Sequence, residues 1–167
     1  MKRALSFAFV LAAATTGCID PCEPDEHEGT DDSVPSDLGS FSDSGTRETF
    51  NNLTFSSADD EDFFVFRTVD GGIDGNPEVF ITADSNESLE ITTMLTCAGE
   101  APPWTCDEPG SESACRVAFG EEAFLDLTYD CEGGFFDDTD NAVVVLRVRR
   151  TEPAETCATY DLEIFVD

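Results

Sequence analysis

From Thr46 to Asp167, apolar and polar residues alternate in short segments separated by clusters of Gly, Pro, Asn and Asp. A period of two belongs to strands that bury one face, because successive side chains of a strand point to opposite sides. Leu89, Ile91, Thr93 and Leu95 share one face of a segment whose other face carries Glu90, Thr92 and Thr96. Ala123, Leu125, Leu127 and Tyr129 alternate with Asp126, Thr128 and Asp130. Tyr160, Leu162, Ile164 and Val166 alternate with Asp161, Glu163 and Asp167. Further strands are predicted at Glu48 to Phe55, Phe63 to Val69 and Glu78 to Ala83. Val143 to Val148 is almost wholly apolar and suits a central strand, with Arg147, Arg149 and Arg150 emerging as it nears an edge. No segment keeps helical periodicity for more than about two turns. The expected fold is all-β: an antiparallel β-sandwich of about seven or eight strands, jelly-roll-like.

The residues before Thr46 do not join this pattern. Met1-Lys2-Arg3 is a basic start, and the apolar run Ala4 to Ala14 leads to Thr15-Thr16-Gly17-Cys18, the outline of a secretory signal peptide over residues 1–17. The run is shorter than the roughly 20 residues that cross a bilayer, so cleavage is expected rather than a permanent span. Gly17 before Cys18 resembles the bacterial lipobox, although Thr15 stands where Leu is usual. That resemblance implies diacylglycerol on Cys18, which becomes the mature N-terminus, and acyl chains at about 0.8 kcal/mol per buried CH₂ would hold it to a membrane. Ile19 lacks the retention Asp of some inner-membrane lipoproteins, so the expected address is the outer membrane of the cell envelope. Residues 18–45 are rich in Asp, Glu, Ser, Pro and Gly and are expected to form a flexible acidic tether, with His27 solvated. Residues 46–167 are then the domain.

Charge narrows the partners. Cleavage removes Lys2 and Arg3 from eight basic residues, leaving six against 37 acidic ones, a net charge of −31. Such a surface repels nucleic-acid backbones and anionic headgroups, so no nucleic-acid role is expected, while cations are natural counter-partners. Calcium is the candidate cofactor. It takes six to eight oxygens, which acidic loops can offer. The loops are Asp59 to Asp62, Asp70 to Asn76 and Asp137 to Asn141, and Asp137, Asp138 and Asp140 are the candidate metal ligands.

Asp59-Asp60-Glu61-Asp62-Phe63-Phe64-Val65-Phe66 joins an acidic turn to an aromatic-rich strand. It resembles the opening of the bacterial pre-peptidase C-terminal (PPC) domain, a jelly-roll module found beside secreted proteases. Ser88-Leu89-Glu90-Ile91 resembles that family's central strand, and Tyr160-Asp161-Leu162-Glu163-Ile164 its closing one. The likeness extends over roughly Asn51 to Asp167. The cysteine-bearing stretch from Cys97 to Cys115 departs from the family pattern. The resemblance implies a non-catalytic accessory or binding domain, in some members associated with calcium.

With Cys18 acylated, Cys22, Cys97, Cys106, Cys115, Cys131 and Cys157 remain, an even number that predicts disulfides in an exported chain. Six cysteines allow fifteen pairings. Cys131 with Cys157 is the preferred pair. Two of Cys97, Cys106 and Cys115 are expected to bond to each other around Pro102-Pro103-Trp104, leaving Cys22 to pin the tether or stay free. The domain has neither histidine nor lysine, which removes most nucleophile–base systems. A carboxylate pair of the glycoside-hydrolase kind stays open, but so much Asp and Glu makes it uninformative, and the chain is read as non-catalytic. As a binding module it would take a protein or a glycan. Trp104, Phe135 and Phe136 are the candidate platform, Trp104 being either exposed or a plug beneath its loop.

Overall fold

In the structure, a computed structural model, the described residues are 23–27, 34–71, 76–97, 101, 104–106, 115–131, 140–154 and 157–167. Among them are seven strands: β1 (Ser36–Ser42), β2 (Thr46–Phe55), β3 (Glu61–Val69), β4 (Glu78–Cys97), β5 (Cys115–Thr128), β6 (Ala142–Arg150) and β7 (Ala158–Val166). They form one sheet in the order β1-β3-β6-β4-β7-β2, with β5 paired to β4. The sheet folds back on itself so that β1 and β2, at its two ends, come near one another.

The fold-back comes from β4. Val79 to Ser85 pairs with β7, and Leu89 to Cys97 pairs with β6, so one strand serves both halves. β5 follows it through the corner. The register shifts between Asp84 and Leu89 of β4, opposite Gly120 and Glu122 of β5. Gly120 has φ of +144°, and a Cβ there would meet the Glu122 carbonyl oxygen at 3.3 Å, so the turn of β5 needs glycine. The two predicted segments at Glu78 to Ala83 and Leu89 to Leu95 are therefore one bent strand.

Between the halves lies the main core, with Phe41, Phe55, Phe64, Phe66, Ile81, Leu146 and Tyr160 among its fully buried side chains. The inward sets read from the alternation are those found there, including Ala123, Leu125 and Leu127 of β5 and Leu162, Ile164 and Val166 of β7. β6 is central, flanked by β3 and β4. A second cluster lies on the opposite face of β3, β6 and β4: Phe63, Val65, Met94, Val143 and Val145 under Trp104, Cys106 and Cys115.

Four expectations are corrected. β1 falls within the stretch assigned to the tether, and its Phe41 is buried edge-on to Phe66 at 5.4 Å. The sheet thus begins before Thr46. β1 also runs parallel to β3, whereas every other pair is antiparallel. Glu23–His27 lies against β2: Asp25 Oδ2 accepts from Thr54 N at 2.7 Å, the Glu23 carbonyl from Thr54 Oγ1 at 3.0 Å, and half-buried His27 is edge-on to Phe50 at 5.2 Å. These bonds occupy the edge of β2 that sheet pairing leaves bare. Arg147 and Arg150 are buried rather than emerging at an edge.

Candidate functional site

Two disulfides join described residues: Cys97 to Cys131 and Cys106 to Cys115. The second is the expected bond within the cysteine-bearing insertion. The first corrects the preferred pairing, since Cys131 is taken by Cys97 at a Cα separation of 5.3 Å. Cys97 ends β4 opposite Ala142, and the Cys131 sulfur lies 3.7 Å from the carbonyl oxygen of neighbouring Asn141, so strand register brings them together. Cys157 is also disulfide-bonded. Cys18 and Cys22 lie outside the described residues.

The Cys106–Cys115 bond packs into the second cluster, and Trp104 is a plug beside it. The indole is 9 % exposed, edge-on to Phe63 at 5.4 Å, with the Arg147 guanidinium over it at 5.1 Å. Trp104 is therefore no exposed platform. Phe135 and Phe136 lie outside the described residues.

Beside Trp104 the same face carries a ladder of charges. Arg147 donates to Glu90 Oε1 at 3.0 Å, Arg149 to Glu90 Oε2 at 2.8 Å, and Arg149 again to Glu61 Oε1 at 3.1 Å. Burial alone would raise the Glu90 carboxyl, but the hydrogen bond and charge of Arg149, with Thr92 and Arg147, outweigh it and hold the group below its usual range. The Arg149 guanidinium is correspondingly raised, first by its bond to Glu90. The ladder opens into a cleft of about 410 Å³ lined by Asp59, Asp60, Glu61, Glu90, Phe119 and Arg149, among others.

The acidic turn beside this cleft is bound up with the fold. Asp60 accepts from Ser56 Oγ at 2.9 Å, and Asp62 accepts the Tyr160 hydroxyl at 2.7 Å inside the core. Burial, with the charge and hydrogen bond of Asp62, raises the Tyr160 phenol well above its ordinary value.

At the other end of the sheet three more aspartates are buried: Asp43, Asp70 and Asp140. Asp43 accepts from Gly71 N at 2.8 Å, Asp140 from Cys131 N at 2.7 Å, and Asp70 Oδ2 from Asp140 N at 3.4 Å. Tyr129 shares a hydrogen bond with Thr68 there, and its phenol is pushed up to about 12 by burial and by the charges of Asp140, Asp70 and Asp43, against the lowering effect of Thr68. Of the candidate metal ligands, Asp140 is this backbone acceptor, while Asp137 and Asp138 lie outside the described residues. Among the described residues no group of three or more His, Cys, Asp or Glu is placed to hold a metal ion.

The most site-like surface was not singled out from the sequence. On the outward face of β5, β4 and β7, Phe124, Phe80 and Phe165 form a row, with near-parallel rings and centroids 6.3 and 5.8 Å apart. Arg47 of β2 ends the row, its guanidinium 4.4 Å from the Phe165 centroid and ion-paired to Glu163. Phe124 is 52 % exposed. The signal was present: the alternation that puts Leu125 and Ile164 inward puts Phe124 and Phe165 outward, against their hydrophobicity.

No protein-family model matches the sequence, and no curated protein matches it. Among solved structures it is similar to the pre-peptidase C-terminal domain of collagenase from Bacillus anthracis: 10 % identity, 78 % of this chain, 92 % of that one, TM-score 0.34. A Cry1Da tryptic core variant from Bacillus thuringiensis gives 11 % identity and a TM-score of 0.36 over 75 % of this chain, which spans 24 % of that one.

Proposed function

We propose that this chain is a non-catalytic lipoprotein of the cell envelope, anchored through acylated Cys18, that presents its β-domain as a binding module. The observation that carries the reading is the aromatic row of Phe124, Phe80 and Phe165 on an otherwise charged and hydroxylated face. Exposed aromatics gathered on one face mark recognition surfaces more often than scattered ones do. The disulfides support an exported address, where thiols are oxidised. The charge ladder supports a non-catalytic reading of the cleft, because Glu61 and Glu90 are both ion-paired to Arg149 and the Glu90 carboxyl is held below its usual range, away from a proton donor's role.

Mass spectrometry of the N-terminal peptide from the native protein tests the anchor. The expected result is diacylglycerol on Cys18 and release of the protein from membranes by Cys18→Ser. An unmodified Cys18 thiol, or a chain that keeps residues 1–17 in the cytosol, would overturn the reading.

A further inference from the structure

The aromatic row has an internal precedent for what it binds. At its β2 end a guanidinium already stacks on a phenyl ring while a carboxylate holds the same guanidinium: Arg47 over Phe165, paired to Glu163. The next two rings have similar surroundings but, among the described residues, no cation of this chain stacked on them. Phe80 lies between Glu78 and Thr82 on the outward side of β4 and opposite Asp126 of β5. Phe124 lies between Glu122 and Asp126, both exposed. Aromatic rings ringed by carboxylates suit a flat cation, since the ring quadrupole and the acidic rim attract the same charge. Arginine fits better than lysine because its planar guanidinium can stack while its N–H groups reach the rim.

The whole chain reinforces that choice. Its net charge of −29 draws in cationic partners and turns away phosphates, sulfated glycans and anionic lipid surfaces. A second copy of the chain would meet the row with like charge. We infer that the Phe124–Phe80–Phe165 row is the docking site for an arginine-bearing basic segment of a partner protein, whose guanidinium groups continue the stack that Arg47 begins. The inference rests on the reading of the domain as a binding module and names the partner's chemistry.

Calorimetric titration of the mature, disulfide-bonded chain tests it at physiological salt, with an alternating arginine–glycine peptide and a lysine–glycine peptide of equal length and charge. The arginine peptide is expected to bind more tightly. Phe124→Ala and Phe80→Ala should each weaken it by about two- to fivefold, the size of an exposed cation–π contact. Phe119→Ala, an equally exposed ring in the cleft, should leave it unchanged. Phe124 is half exposed, so its variant is expected to keep the parent melting temperature, and it suffices alone if Phe80→Ala unfolds. Equal affinity for both peptides with no effect of either ring would reduce the attraction to bulk charge and overturn the inference. Binding of a neutral glycan lost on Phe124→Ala, without arginine-peptide binding, would also overturn it while leaving the binding-module reading in place.

Discussion

Glu90 shows how much of this fold rests on single charged residues. Its carboxylate is buried on the outer face of β4 and accepts from Arg147, Arg149 and Thr92. Arg147, 3 % exposed, also pairs with Glu61 at 3.7 Å. Glu90→Gln would remove a negative charge from beside that buried guanidinium. The expected cost is on the order of 3 kcal/mol in urea unfolding at neutral pH. The folded pKa is lowered, so the unfolded chain takes up the proton first as pH falls. The stability that Glu90 contributes is complete above its unfolded value of about 4.5 and disappears as pH drops through the lower folded value. The gap between parent and Glu90→Gln should close over that window. A gap that stayed constant there would place the effect in packing instead of charge. From the sequence, Glu90 is merely the polar side of an alternating strand. It is buried on the face where Trp104, Cys106 and Cys115 pack, which no local pattern announces.

At the scale of elements, β1 and β4 depart furthest from expectation. β4 reads as two strands because Ser85-Asn86-Glu87-Ser88 looks like a turn. Those residues instead carry the chain through a corner within one strand, with β5 paired to β4 on either side of it. β1 is hidden by its composition: in Ser36-Asp37-Leu38-Gly39-Ser40-Phe41-Ser42 only Leu38 and Phe41 are large and apolar. A bulge between Asp37 and Gly39 breaks the alternation that would have exposed it. Phe41 alone drives deep into the core, and Arg67 of β3 reaches Asp37 at 3.3 Å across the parallel pair. Phe41→Ala should therefore destabilise the domain by about 3 to 5 kcal/mol, the range for emptying a large buried aromatic site. A chain begun at Thr46 should fare no better. Full stability of either in a denaturant melt would mean that β1 merely rests on the domain.

For the whole molecule the governing quantity is charge. With 37 acidic residues against eight basic ones, folding gathers carboxylates onto a surface where they repel one another. Sodium chloride shortens the reach of that repulsion to about 8 Å at physiological strength. The melting temperature should rise with added salt and then level off; a melt indifferent to salt would show that the surface carboxylates are already compensated. The sequence by itself determined most of the strand segments from Thr46 onward, which of their side chains enter the main core, the central place of β6 and the strongly negative charge of the chain. Each of these depends on neighbours within a few residues or on a sum over the chain. Only the tertiary structure decided which cysteines meet, that Trp104 is a plug, that β1 belongs to the sheet, and that three outward phenylalanines from separate strands line up. Those depend on which strands lie side by side, and pairing register is set by the closure of the whole sheet, to which no stretch of sequence has access on its own.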